Sequence, residues 1–423
     1  MTEFLLSIFV ISVLAGMTLG MLMLIGCSVY DIMAIREKNN PQKTTKTRLK
    51  RYRPLVSIVV PAFNEALTIE KCLDNLARLR YKKVEIIVSD DCSKDGTAKL
   101  VRRYMREHPK RSIQLHASRK NGGRGAAINR GFKRAKGEIV VAFDADCVFE
   151  PDSIHKLVQH FANPSISAVA ANVRITDDAT VLSMLQKLEY LVSFRSKKFN
   201  TVTNSEFIIG GAGASYRAER LRQVGGFDER MKTEDIELSM RMTRLLGKTG
   251  GLVYASDYVV YTQAVPSYKA LLRQRYRWKF GSLQALYHNK GLLFSVKRKQ
   301  NPFTTFVRLP FALWSEIMLL LEPFFFTTFI YIAIVNKNPW LFISASIAYA
   351  VISWLAIWSD EHYRLGVKVR LSFIAPFMYP ASVVISFVQV CAAFRSLINI
   401  RSIVGIKKVS GSYTTTQRAG ASL

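Results

Sequence analysis

Two stretches of this 423-residue chain carry side chains well suited to chemistry: Thr233-Glu234-Asp235 and Gln274-Arg275-Tyr276-Arg277-Trp278. The first sets Asp235 at a helix start, where a carboxylate facing a cleft can act as a general base towards a hydroxyl. A plain helix terminus accounts for the same residues, since Thr caps and acids suit the dipole. The second puts Gln274, Arg277 and Trp278 on one helix face, because residues three and four apart are neighbours there. An amide and a guanidinium can bond phosphate or hydroxyls while an indole stacks on a ring. The plainer reading is an Arg/Trp belt at a membrane interface.

Upstream, Asp144-Ala145-Asp146 follows an apolar run and offers two hard oxygen ligands of the kind that hold Mg2+ or Mn2+, and through it a diphosphate. Two solvated turn acids would look the same. Asp90-Asp91 precedes the turn-rich Ser93-Lys94-Asp95-Gly96 and could be turn acids or acceptors from a base or ribose. Asn121-Gly122-Gly123-Arg124-Gly125 does not fit the G-x-x-x-x-G-K-[ST] phosphate loop, although Arg124 could reach a diphosphate or base. Gly210-Gly211-Ala212-Gly213-Ala214 lacks the context of a dinucleotide fingerprint; its small residues would let a sugar approach the backbone.

These clusters need a scaffold, and the sequence supplies one. Val56–Val60 reads as a buried strand stopped by Pro61, and Ile69, Leu73, Leu76 and Leu79 recur at helical spacing. Strands follow at Val84–Val88, Ile113–His116 and Ile139–Phe143, alternating with helices over Thr97–Arg106 and Gly125–Ala135. Such alternation predicts an α/β fold with a mostly parallel sheet and ligands at the carboxyl ends of its strands. Both acidic pairs fall at such ends. Val181–Phe194 is amphipathic and either faces a core or lies in a membrane interface; apolar segments elsewhere favour the interface. Tyr268–Tyr287 is similar.

Phe4–Tyr30, Leu309–Val335, Pro339–Trp358 and Leu371–Phe394 are each long enough to span a bilayer. The first reads as a retained anchor, for it lacks the basic start of a signal peptide. Pro376 and Pro380 mark the last as a broken or re-entrant segment. The net charge of +29 admits nucleic-acid binding. Eight basic residues between Arg36 and Arg53 instead satisfy the positive-inside rule, so the excess reads as a membrane signature with no nucleic-acid partner. The five cysteines have no metal-site or disulfide spacing, which suits a cytosolic face.

The ordered set Pro61–Glu65, Asp90–Thr97, Asn121–Gly125, Asp144–Asp146, Thr233–Asp235 and Gln274–Trp278 resembles the membrane-bound family 2 glycosyltransferases. These include synthases of cellulose, chitin, hyaluronan and poly-β-1,6-N-acetylglucosamine, the last type being the most similar. The resemblance implies a glycosyltransferase A-type domain over residues 55–265 and an interfacial helix region over 266–308. Around them hydropathy and composition predict an anchor at 1–30, a basic linker at 31–54, a membrane region at 309–409 and a disordered tail at 410–423. The resemblance further implies an inverting enzyme of the plasma membrane with its catalytic domain in the cytosol. That enzyme would use a UDP-sugar, a glycan or lipid acceptor, and Mg2+ or Mn2+. Glu65 and Asp91 would contact uridine and Asp144 the nucleotide. Asp146 would ligate the metal, Asp235 would be the base, and Gln274, Arg277 and Trp278 would hold acceptor and diphosphate. Arg124 stands where many relatives carry Lys, which keeps the charge and alters the geometry. One apolar segment precedes the domain where the poly-N-acetylglucosamine type often has two. Transfer of one sugar to a lipid carrier, and a non-catalytic membrane-surface protein, are the alternatives. The sequence names no partner subunit.

Overall fold

Residues 21–36, 52–176, 180–335 and 340–399, with Thr18, Lys337 and Ile403, are described by the computed structural model. A helix, α1, covers residues 21–36. It is followed by β1 (Val56–Ala62), α2 (Ile69–Ala77), β2 (Val84–Asp90), α3 (Thr97–Glu107), β3 (Ile113–Ala117), α4 (Arg124–Phe132) and β4 (Ile139–Ala142). Next come β5 (Val148–Phe149), α5 (Ser153–Phe161), β6 (Ile166–Ile175), α6 (Val181–Val202), β7 (Ala214–Arg217), α7 (Ala218–Gln223), α8 (Glu234–Leu246), β8 (Gly251–Thr262) and α9 (Tyr268–His288). Four helices close the described chain: α10 (Leu309–Val335), α11 (Trp340–Trp358), α12 (Leu365–Ile374) and α13 (Met378–Ile398).

The strands form one eight-stranded sheet in the order β3-β2-β1-β4-β7-β6-β8-β5. The expected mostly parallel sheet holds from β3 to β4 and then gives way to a mixed one. β7 pairs antiparallel with both β4 and β6, and β5 antiparallel with β8. Alternation of β and α segments reports crossovers, and it says nothing of a short strand such as β7 that slots in reversed. Val56, Ile58 and Val60 face one core with α2 and α5, while Val59 faces the other with Ile128 of α4 and Leu238 of α8. Burial on both faces is why the early strands read as unbroken apolar runs.

Pro61 does not stop β1. It pairs opposite Ser89 of β2 but lies past Val59↔Ala142, the last β1–β4 pair, where a missing N–H costs no ladder bond on that side. The expected interfacial helix at Val181–Phe194 continues to Val202, and its stripe is spent on protein. Leu185, Leu188 and Leu191 pack against Ala356 and Ile357 of α11 and Leu371 of α12.

Among the described residues, one helical window, Thr304–Leu321, is long and apolar enough to cross a membrane. Leu371–Phe394 is two helices divided by a tight turn at Ala375–Phe377, which contains Pro376. The expected linker begins later than residue 31, because α1 runs on to residue 36. Most of Phe4–Tyr30, the basic run after Arg36 and the tail from Ser410 lie outside the described residues.

Candidate active site

β1, β2 and β4 run parallel; β1 and β2 end side by side at Ala62 and Asp90, and β4 ends at Ala142, opposite Val59. Because β2 and β4 flank β1 on opposite sides, the crevice beyond these ends is where an open α/β sheet accepts a ligand. Asp144, Asp146 and Cys147 stand in the turn after β4, each with a potential ligand atom within 4.8 Å of the others. Cys147 is not part of a thiolate site. Burial holds its thiol well above the usual range, and the Sγ donates to Asp146 Oδ1 at 3.2 Å. What remains is an oxygen donor set, which suits Mg2+ or Mn2+ better than zinc.

Glu65, in the turn after β1, belongs to the same acidic group. Burial above all, with Asp146 and Asp144 adding repulsion, pushes its carboxyl up to about 7 against a bond from Thr68. A value raised in the fold means that Glu65 favours folding below pH 4.5 and that this contribution is lost as pH rises through 7. We therefore expect Glu65→Gln, measured with chelator present, to stabilise the protein at pH 8 by on the order of 2 kcal/mol. At pH 4.5 thermal unfolding of the variant and the parent should coincide; an equal gain at both pH values would refute the assignment.

Arg124 joins this acidic group to the next motif. Its Nε donates to Asp144 Oδ1 at 2.8 Å and its Nη1 to Glu234 Oε1 at 2.5 Å. Glu234 is only 6% exposed. Burial raises its carboxyl, and Arg124 pulls it back down. Gly125 makes room for this contact, since a Cβ there would sit 3.3 Å from Glu234 Cγ. Arg124, which the sequence suggested as a nucleotide contact, is also an internal bridge between the two motifs.

Asp91 is likewise taken up inside the fold. It is 1% exposed and accepts from the Gly122 and Gly123 amides, at 3.0 and 2.7 Å, and from Arg130. It therefore anchors the loop that leads into Arg124. Its neighbour Asp90 has one oxygen on the Ser93 amide at 3.3 Å, and its buried Oδ1 meets no hydrogen-bonding group among the described residues. Of the two acids, Asp90 is the one with an acceptor to spare, and nothing in the local sequence distinguishes it.

Asp235 is the second residue of α8, directly after Glu234. Its two oxygens accept from the Gly211 and Ile236 amides, both at 2.9 Å. The Gly210–Ala214 loop reaches this point because β7 is reversed: Ala214 pairs with Ala142 at the carboxyl end of β4. Thr233 occupies the N-cap position, but its hydroxyl makes no cap bond.

On α9, Arg277 is exposed and Gln274 and Trp278 are partly buried. Trp278 lies against Arg275, with the guanidinium 4.4 Å from the ring centroid, and Arg275 donates to Glu189 of α6 at 2.6 Å. Lys279 binds both oxygens of Glu316 in α10, at 2.7 and 2.9 Å. Arg275 and Lys279 fix the helix to its neighbours and escaped the motif reading. The visible signal was Glu316, a charge inside an apolar run.

Residues 57–225 match the family model "Glycosyl transferase family 2". The chain is 28% identical over 268 residues to the poly-β-1,6-N-acetyl-D-glucosamine synthase of Staphylococcus aureus (strain COL). It is 26% identical over 266 residues to the synthase of the same name from Staphylococcus epidermidis. These alignments cover 63% of each relative, so the chain spans less than two thirds of the length of the curated relatives it matches. Among solved structures, the mannosyltransferase PcManGT of Pyrobaculum calidifontis, in complex with GDP-mannose and Mn2+, superposes with a TM-score of 0.56 at 20% identity. That match takes in 89% of this chain and 99% of the other, and it establishes the shared fold. Residues 57–225 are therefore a family 2 glycosyltransferase domain, and through it the chain resembles the staphylococcal poly-N-acetylglucosamine synthases.

Proposed function

We propose that this protein is a membrane-embedded, inverting glycosyltransferase that moves a sugar from a UDP-sugar to a growing polysaccharide. The observation that carries the reading is the Arg124 bridge, which ties Asp144 to Glu234 and so sets Asp235 beside the acidic crevice. The bridge supports pairing the proposed donor ligand Asp144 with the proposed base Asp235, 91 positions further on in sequence and next to Glu234.

In the reaction, an acceptor hydroxyl oxygen attacks the anomeric carbon as the bond to the UDP oxygen breaks, inverting the configuration there. Asp235 takes the hydroxyl proton. The amides of Gly211 and Ile236 fix the two oxygens of that carboxylate, so its orientation is set before an acceptor arrives. Asp146, with Asp144 and Glu65 beside it, would hold Mg2+ or Mn2+. When bound, the cation offsets charge on the departing diphosphate. Gln274 and Arg277 would bond acceptor hydroxyls or diphosphate, and Trp278 would form the floor on which an acceptor ring stacks. The names of the staphylococcal relatives favour N-acetylglucosamine as the sugar.

Membrane embedding is supported by exposed apolar side chains on the last helices, among them Ile347 and Leu355 on α11 and Phe387 and Phe394 on α13. A patch of that kind on a soluble surface would be unusual. The loop between α11 and α12 returns to the catalytic domain. There Asp360 receives two bonds from Arg174 of β6, at 2.8 and 2.6 Å, and Tyr363 packs under the same guanidinium at 4.0 Å. This favours a hairpin whose loop shares the cytosolic side of the plasma membrane with the domain.

The test is incubation of membranes holding the protein with labelled UDP-sugars, followed by sizing of the product. Long glycan supports the proposal, one sugar on lipid redirects it, and no turnover of any nucleotide sugar overturns it. In the same assay Trp278→Ala should lower the rate per inserted molecule about 10²-fold, as loosening a reacting group by ~1 Å does. An unchanged rate with normal insertion would return Trp278 to a belt role.

A further inference from the structure

The face of α9 that bears Gln274, Arg277 and Trp278 continues to Gly281, since 274, 277, 278 and 281 are spaced i, i+3, i+4 and i+7. Gly281 is where this helix meets the turn that carries the Thr-Glu-Asp motif. A Cβ built on it would fall 2.1 Å from Thr233 Oγ1 and 2.5 Å from Thr233 Cγ2. No real Cβ tolerates that distance, so α9 can lie this close to the turn only because position 281 has no side chain.

The residues on either side grip the same turn. Gln284, 4% exposed, accepts the Lys232 amide on Oε1 at 3.2 Å. The Lys232 ammonium stands 5.7 Å above the Phe280 ring. Three successive contacts therefore hold Lys232 and Thr233, the two residues before Glu234 and Asp235, against one stretch of α9. Thr233 is 7% exposed, and its Oγ1 has no hydrogen-bond partner among the described residues. The turn is thus located by contact with Gly281 and by the Gln284 bond, without a cap bond of its own.

We propose that Gly281 and Gln284 are positioning residues for sugar transfer. They join the turn bearing the base to the helix bearing Gln274, Arg277 and Trp278, so that Asp235 and the acceptor-binding face keep one fixed separation. The donor side is held elsewhere, by Asp144, Asp146 and the Arg124 bridge. Displacing α9 should therefore slow transfer more than it weakens donor binding, to which α9 adds only the diphosphate contacts proposed for Gln274 and Arg277. This inference rests on the proposed glycosyltransferase function, and the parent protein's turnover tests that function separately.

The experiment compares Gly281→Ala, Thr233→Gly and the double variant in purified protein, reading kcat and the KM for UDP-sugar. Gly281→Ala should lower kcat at least tenfold, with donor KM changed by a clearly smaller factor. The double variant should recover much of the loss, because removing the Thr233 side chain makes room for the new methyl group. Should Gly281→Ala fail to fold, Gln284→Met keeps the shape and removes only the bond to Lys232. It should speed hydrogen exchange at the Lys232 amide, a readout independent of activity, and lower kcat several-fold. Parallel loss of kcat and donor affinity, no recovery in the double variant, or unchanged exchange in Gln284→Met would each overturn the proposal.

Discussion

Asp235→Asn should reduce transfer by about 10²–10⁴-fold, the contribution expected of one general base. The amide keeps the size of the carboxylate but has lost the oxygen that could hold the acceptor's proton. Asn can still accept from one of the Gly211 and Ile236 amides that now bind the two Asp235 oxygens. The turn should therefore stay close to its place, and UDP-sugar affinity should change little. Initial rates in membranes, with a parallel donor-binding measurement, separate the two effects. A rate near that of the parent would remove Asp235 as the base, and lost donor binding would recast it as a donor ligand. Glu234→Gln serves as the contrast. Its carboxylate is buried on Arg124, so its loss should act through stability and the placement of Asp144.

Asp146→Ala should have an effect of similar size and opposite character. Asp144 and Asp146 present carboxylates to one small volume, beside a Glu65 whose proton is held up to about 7. Acids crowded in this way gain from a divalent cation and bind it more weakly when one is deleted. Support of leaving-group charge by a cation is worth several kcal/mol, so the variant should lose 10³-fold or more in kcat/KM. Donor binding should weaken with it, in contrast to Asp235→Asn. Exhaustive chelation of the parent should give the same loss, reversed by Mg2+ or Mn2+. Full activity under chelation would mean that this acidic cluster handles the donor without a metal.

Much of the scaffold was legible in one dimension. A strand buried on both faces needs a continuous apolar run, and Val56–Val60, Val84–Val88 and Ile139–Phe143 are such runs. A ligand crevice needs polar residues where those strands stop, and the acids at 90, 91, 144 and 146 stop them. The helix N-terminus at Thr233 and the shared face of Gln274, Arg277 and Trp278 follow from helical periodicity alone. Relations of this kind span a few residues, and backbone geometry fixes them.

Relations between elements were out of reach. Which of Asp90 and Asp91 keeps a spare acceptor depends on the Gly122–Gly123 amides and Arg130, 31 to 39 positions away. That Arg124 is a bridge depends on a carboxylate 110 residues further on. The placement of Gly210–Gly213 beside Asp235 depends on β7 entering the sheet reversed. Alternating strands and helices cannot report this, because a four-residue strand has the same side-chain period in either direction. The apolar stripe of α6 was equally ambiguous, for lipid and the packed face of α11 and α12 select the same side chains. The sequence determined the strands, the helices and the residue types at their ends. Tertiary structure alone decided which of those ends meet, because charge pairing and close packing act through space between residues that the chain keeps far apart.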